Sequence, residues 1–236
     1  MNIFYSIIIN HAEITLTDEE ARHCTQVLRY KVGDTVLVTD GIGNLYDTRI
    51  AKIGKKEAVL TIINKTVTNN VNKIKINIAC APTKNIDRYE WFLEKATEIG
   101  VTEITPLICF QSERRHVRLD RLEKIIVAAA KQSLKYHFPV LSEVIDYKDF
   151  VTKNIDFEGQ KFIAYCHANM DRKVLKIAYT PQQNALILIG PEGDFSHEEV
   201  AFATQNGFIG VSISESRLRT ETAALVAVHT FNLLNS

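Results

Sequence analysis

Between Ala185 and Ile189 the chain reads Ala-Leu-Ile-Leu-Ile without a polar residue. A short continuous apolar run of this kind predicts a strand buried on both faces of a sheet. Elsewhere the pattern alternates. Ile74, Ile76, Ile78 and Cys80 recur at a period of two, and residues 101–109, 161–166 and 208–214 are further strand candidates. Helical spacing separates them. Phe92, Ala96 and Ile99 share one face of a helix over 87–99, which Gly100 stops. Leu119, Leu122, Ile125, Ile126 and Ala129 form the stripe of a second helix, ending before Pro139. Ser196 and Glu199 make a capping-box pattern opening a helix to 206, and a final helix covers 221–234. Strand and helix alternate, so residues 73–236 are expected to be α/β with a largely parallel sheet.

The first 70 residues have a different rhythm. Segments 35–39 and 57–63 are rich in β-branched residues, and Asp40-Gly41 supplies a turn, which suggests a small barrel. One helix is expected over 18–28, with Thr17 as N-cap and Glu20 completing a capping box. The polar stretch 64–70 loses periodicity, so the domain boundary is placed there, giving units 1–70 and 71–236.

Bulk properties narrow the classes. A chain of 236 residues can bury a substantial core, and its zero net charge leaves no global field drawing it onto nucleic acid, so any basic surface is local. The N-terminus has no basic region followed by a cleavage site, and no apolar run is long enough for a bilayer; a cytoplasmic protein without a membrane segment is expected. Cys24, Cys80, Cys109 and Cys166 are far apart and form no CxxC pair, which fits reduced core thiols and argues against a metal site.

Two turns carry the candidate chemistry. Residues 189–196 (Ile-Gly-Pro-Glu-Gly-Asp-Phe-Ser) and 216–223 (Ser-Arg-Leu-Arg-Thr-Glu-Thr-Ala) each join a strand to a helix. At the carboxyl ends of neighbouring strands they build one concave site. Gly190 and Gly193 permit close approach or positive φ, and Glu192 can accept from hydroxyls. Arg219 can stabilise developing negative charge, and Thr220 or Thr222 can cap the last helix. The glycine spacing matches neither a dinucleotide fingerprint nor a P-loop. Residues 113–137 hold seven positive against three negative side chains, enough to position phosphates, although a solvated helix face has the same composition.

Taken in order, these residues resemble a family. His23-x-x-x-Val27-Leu28-Arg29, Gly33-Asp34 and Asp40-Gly41 come first, followed by residues 95–101 (Lys-Ala-Thr-Glu-Ile-Gly-Val), Pro106-Leu107, Lys131-Gln132-Ser133 and Pro139. Residues 189–193 and 217–223 complete the series. Over nearly its whole length the chain is similar to the RsmE family of ribosomal RNA uridine-N3 methyltransferases, in the SPOUT superfamily.

The resemblance implies a PUA-like RNA-binding barrel followed by a trefoil-knotted α/β methyltransferase domain. It implies S-adenosylmethionine as cofactor, a homodimer with each active site near the interface, and a uridine of small-subunit rRNA in the assembled subunit as substrate. The cofactor positions it implies are His167 at the end of strand 161–166, then Ile189, Gly190, Glu192 and Gly193. The second turn adds Ile213, Ser214, Leu218, Thr220 and Ala223. Arg219 is expected to stabilise the uridine anion. Glu221 is the nearest carboxylate for the proton, with Glu98 or water as alternatives. Arg29, Arg114, Arg115 and Lys131 are expected to position RNA. The chain departs from the family at Ile213-Ser214 (commonly Leu-Gly), Ser216 (often arginine) and Asp194 (commonly glycine). Ser214 places a side chain where the cofactor needs room. Rival readings are a SPOUT enzyme acting on another RNA, such as tRNA, and a non-catalytic ribosome-assembly factor.

Overall fold

The structure, a computed structural model, describes residues 2–68, 74–167 and 172–236. The chain divides into two compact units, Met1–Val71 with Val127–Phe138, and Asn72–Ile126 with Pro139–Ser236. The boundary expected between residues 70 and 71 lies outside the described residues.

The first unit holds β1 (Ile3–Tyr5), β2 (Glu13–Thr17), α1 (Asp18–Arg22), β3 (Thr35–Thr39), β4 (Asn44–Ile53) and β5 (Glu57–Val67). They form one sheet in the order β1-β3-β4-β5-β2, with β1 parallel to β3 and the other pairs antiparallel. The period-two pattern decides which side chains turn inward: Ile14, Leu16, Val38, Ile50 and Leu60 are buried with Phe4. At the turn after β3 the Asp40 carboxylate accepts from the Ile42 and Asn44 amides and from the Tyr46 hydroxyl.

Two expectations here are corrected. The strand expected over 57–63 does not end there: β5 continues through 64–67, which pair with Asn44–Asp47 of β4. The helix over 18–28 is not a uniform capped helix. It is α1 followed by a π-helical turn, His23–Val27, and Thr17 makes no side-chain cap. Asp18 has φ of 44°, which takes the first turn out of capping geometry. The Glu20 carboxylate instead accepts from the Tyr5 amide and pairs with Lys131.

The second unit begins with β6 (Ile76–Cys80), α2 (Ile86–Ile99), β7 (Glu103–Ile108) and α3 (Leu119–Gln132), which runs on into the first unit's segment. Next come β8 (Val140–Leu141), β9 (Ile145–Asp146), α4 (Tyr147–Lys153), β10 (Gln160–Ala164), β11 (Lys173–Val174) and α5 (Leu175–Ala178). The last elements are β12 (Ala185–Ile189), α6 (His197–Gln205), β13 (Ile209–Ser212) and α7 (Thr220–Asn235). The sheet order is β11-β13-β10-β12-β6-β7-β8, with β9 also on β7, and every one of these pairings is parallel.

The continuous apolar strands are covered on both faces. Ile76, Ile78 and Ile187 face Phe92 and Leu93 of α2 and Val228 and Phe231 of α7. Leu107, Ile163, Leu186 and Leu188 face the other way, with Phe150 of α4 and Val200 of α6. The Ser196–Glu199 capping box forms as the sequence indicates. Asn85 caps α2 by accepting from the Asp87 amide.

Two strands stop short of their expected ends, for local reasons. Past β10, the Tyr165 carbonyl accepts from Arg172 and the Cys166 amide donates to Asp194, so side chains replace the ladder. Past β13, the Ser214 hydroxyl accepts from the Ser216 amide and turns the chain.

Candidate active site

Because the strands are parallel, the carboxyl ends of β10, β12 and β13 lie on one edge of the sheet, where α/β folds bind ligands. The loop after β12 is fixed there by its small residues. Neither Gly190 nor Gly193 has positive φ, so conformational freedom is not their role. A Cβ on Gly190 would lie 3.1 Å from the Phe195 ring, and one on Gly193 would lie 2.9 Å from Cβ of Gln111. Gly190 serves close packing within the loop, and Gly193 its packing against the segment after β7. The residue with left-handed backbone is Asp194, at φ 66°. Aspartate tolerates this region by bonding locally: Oδ1 accepts from the Phe195 amide at 2.9 Å and Oδ2 from the Cys166 amide at 2.7 Å. The loop after β12 is thereby tied to the end of β10.

The loop after β13 leads into α7. The expectation that Thr220 or Thr222 caps this helix is corrected. The N-cap position is Arg219, with no side-chain cap, and the Thr220 hydroxyl donates 3.0 Å to the Gly190 carbonyl. That bond joins the two turns. Glu221, one residue on, is buried at 7% exposure and faces Arg88 of α2, with Nε to Oε1 at 4.0 Å. Glu192 accepts from the Lys84 amide at 2.9 Å.

These loops enclose a cavity of about 390 Å³. Its lining includes the apolar Ala164, Ile189, Val211, Ile213, Leu218 and Ala223. It also includes the cations Arg88, Arg172, Arg217 and Arg219 and the carboxylates Glu192, Asp194 and Glu221. Arg172 is anchored by a 2.6 Å bond to the Tyr165 carbonyl and lies over that ring. Burial, then the nearby charges of Glu221 and Glu192, push the Cys80 thiol far above its ordinary range, so it is a neutral core group. Such a lining offers apolar contact to a flat group and both signs of charge to polar ones.

Of the residues expected from the sequence, Ile189, Gly190, Glu192, Ile213 and Ser214 line the cavity, as do Leu218, Arg219, Thr220, Glu221 and Ala223. Gly193 and His167 are not among its lining residues. His167 places Nε2 2.7 Å from the Phe195 carbonyl and stacks on His197. Among the RNA candidates, Arg29 and Arg115 are exposed. Arg114 is held by the Thr83 and Lys84 carbonyls, and Lys131 by Glu20, so both brace the protein itself. Cys166, expected as a core thiol, is exposed and lines the cavity. Sequence reasoning missed Arg88, whose only signal is its place early in a helix that follows a central strand. It also missed Arg172. Among the described residues no cluster of His, Cys, Asp and Glu could hold a metal ion, and no helix is long and apolar enough to cross a membrane.

Known proteins share this arrangement. Residues 70–232 match the family model of an RNA methyltransferase domain, and residues 16–63 that of an RNA methyltransferase PUA domain. The ribosomal RNA small subunit methyltransferase E of Rickettsia conorii is 28% identical over 222 residues, covering 93% of this chain and 89% of its own. That of Mesomycoplasma hyopneumoniae is 34% identical over 169 residues, covering 70% and 72%. Among solved structures, a probable rRNA-methyltransferase from Porphyromonas gingivalis superposes with a TM-score of 0.91 at 40% identity, covering 100% of this chain and 98% of its own. The ribosomal RNA small subunit methyltransferase E of Neisseria gonorrhoeae, bound to S-adenosyl methionine, gives 0.82 at 27% identity, with the same coverage. The motifs, the parallel sheet with its cavity and these matches agree: the chain belongs to the RNA methyltransferase family that includes the ribosomal RNA small subunit methyltransferases E, with that family's PUA domain on its N-terminal side.

Proposed function

We propose that the protein transfers a methyl group from S-adenosylmethionine to N3 of a uridine in small-subunit ribosomal RNA. The observation that carries this reading is the cavity at the ends of β10, β12 and β13, whose lining combines apolar side chains with arginines and carboxylates. The residues present fit the cofactor. Ile189, Ile213, Leu218 and Ala223 suit a purine, and the main chain of the two loops can read its edge. Glu192 and Asp194 are acceptors for hydroxyl or ammonium groups, and Arg172 or Arg217 suits a carboxylate. The volume lies within the roughly 300–1,000 Å³ of small-molecule sites. When bound, the cofactor supplies an electrophilic methyl group on a sulfonium.

The protein's own groups do the rest. Uridine N3 lies on the pairing edge, so the base must leave its pair to enter the cavity. Its imide proton must be removed, and the resulting charge spreads onto O2 and O4. Arg219, exposed at the cavity rim, stabilises that charge. Glu221 accepts the proton, held in place by Arg88. Glu98 is the weaker candidate, since its carboxylate is bonded to Lys95 on α2 and it does not line the cavity.

Residues 1–70 are assigned to RNA holding and residues 71–236 to transfer. The trefoil knot, the homodimer, the cytoplasmic location and the assembled subunit as substrate follow from the resemblance and belong to this proposal.

The test is transfer of labelled methyl groups into small subunits from a strain lacking this gene, with tRNA and free rRNA in parallel. Label in small-subunit RNA is the expected result. Label in tRNA alone would move the substrate to another RNA. No label and no cofactor binding would favour the assembly-factor reading.

A further inference from the structure

Phe110 follows β7 and is 72% exposed, although its amide is bonded into the fold. Its amide donates 2.8 Å to the buried Glu199 carboxylate, whose other oxygen completes the α6 capping box. The turn beneath it is closed by the Cys109 amide on the Ser112 hydroxyl and the Ser112 amide on the Cys109 carbonyl. The next residue, Gln111, lies directly against Gly193. Arg114 then grips the Thr83 and Lys84 carbonyls, and the Lys84 amide donates to Glu192 of the cavity. The loop carrying Phe110 and the loop forming the cavity are one hydrogen-bonded platform.

A single exposed aromatic is ordinary on a protein surface. This one is distinguished by the hydrogen-bonded turn that carries it, by contact with the cavity loop through Gln111 and by positive charge on the same segment. Arg115 is exposed and lies five residues on in the same segment. The neighbouring Arg118 is paired with Asp120, Lys84 with Glu113, and Arg114 is held by carbonyls, which leaves Arg115 as the arginine of this segment without such a partner among the described residues. A flat apolar face and a cation on one segment suit a base and its phosphate. It does not suit an acidic peptide, which has no use for the ring.

Building on the methyltransferase reading, we infer that Phe110 is a stacking platform for an unpaired nucleotide of the RNA substrate outside the cavity, with Arg115 on a nearby phosphate. The platform acts on substrate capture, not on the transfer step.

The test uses full-length Phe110→Ala, Phe110→Tyr and Arg115→Ala in steady-state methyl transfer to small subunits, with cofactor affinity and sedimentation measured alongside. Phe110→Ala should raise KM for RNA about tenfold, within the range of base–aromatic stacking. Its kcat and cofactor affinity should stay within about twofold on this stacking account. Phe110→Tyr should restore KM, and Arg115→Ala should raise it with a shallower salt dependence. An unchanged KM in Phe110→Ala, or no rescue by tyrosine, overturns the inference. A change in oligomeric state in Phe110→Ala also overturns it, because a second copy would then cover the ring. If the wild type transfers no methyl group, the functional reading fails separately. Phe110 is then judged by binding of a labelled single-stranded oligonucleotide, where equal affinity of wild type and Phe110→Ala overturns the inference and weakened binding supports it.

Discussion

The Thr220 hydroxyl donates to the Gly190 carbonyl across 3.0 Å, joining the first residue of α7 to the first residue of the loop after β12. Thr220 is buried, so water does not compete for the bond. Through this contact one turn of the cavity holds the other in register.

Replacing Thr220 with valine keeps the shape and removes the donor. The Gly190 carbonyl is then left without this partner, at a cost of about 1–2 kcal/mol. A denaturant midpoint should fall accordingly, and calorimetric titration should show cofactor affinity reduced several-fold. Thr220→Ser should behave as wild type. Equal affinity and stability in Thr220→Val would mean that the two turns are held by other contacts.

Asp194 combines a φ of 66° with two accepted amide bonds. The two requirements separate on mutation. Asparagine keeps an acceptor and tolerates the left-handed region; glycine keeps only the backbone; alanine keeps neither. Thermal stability and cofactor affinity should therefore rank Asn above Gly above Ala, with alanine losing more than about 1 kcal/mol. A glycine variant as good as the parent would show that the tie to Cys166 contributes nothing.

How much of this could be read from the sequence varies with the physics. The strand Ala185–Ile189 and the Ser196–Glu199 box were legible because each depends on residues adjacent in the chain. Thr17 and Glu20 have the same spacing as the working box, yet they form none, because Glu20 is taken by the Tyr5 amide and by Lys131, distant in sequence. Strand β4 buries the polar Thr48 between Tyr46 and Ile50, which weakens its alternation. The two turns were found because strand, glycines and helix lie in sequence. Arg88 was not, because it reaches Glu221 only through the stacking of α2 against α7, which no local pattern encodes.

The thiols should respond to pH in a defined way. Burial, helped by Glu20 and Asp34, pushes Cys24 from 9.0 to about 11, and Cys80 and Cys109 also lie well above their ordinary range. At pH 8 about one Cys24 in a thousand is thiolate. Iodoacetamide on the native protein should thus label the exposed Cys166 first, and cofactor should slow that labelling because Cys166 lines the cavity. The buried thiols hold their protons more tightly folded than unfolded. For Cys24 the contribution to stability is therefore complete below about pH 9 and is lost as pH rises through about 11. Urea midpoints should decline across that window. A flat profile, or faster labelling of Cys24 than of Cys166, would contradict the burial assigned here.

The central claim is that this cavity methylates a uridine at N3 with the help of Arg219. The most direct measurement incubates wild type and Arg219→Ala with S-adenosylmethionine and small subunits lacking the modification, digests the RNA and quantifies methylated nucleosides by mass spectrometry. Wild type should yield N3-methyluridine. Arg219→Ala should yield at least about a hundredfold less, as loss of a charge-stabilising donor does elsewhere, while binding cofactor nearly as well. A methylated nucleoside other than N3-methyluridine, or full activity in Arg219→Ala, would contradict the account.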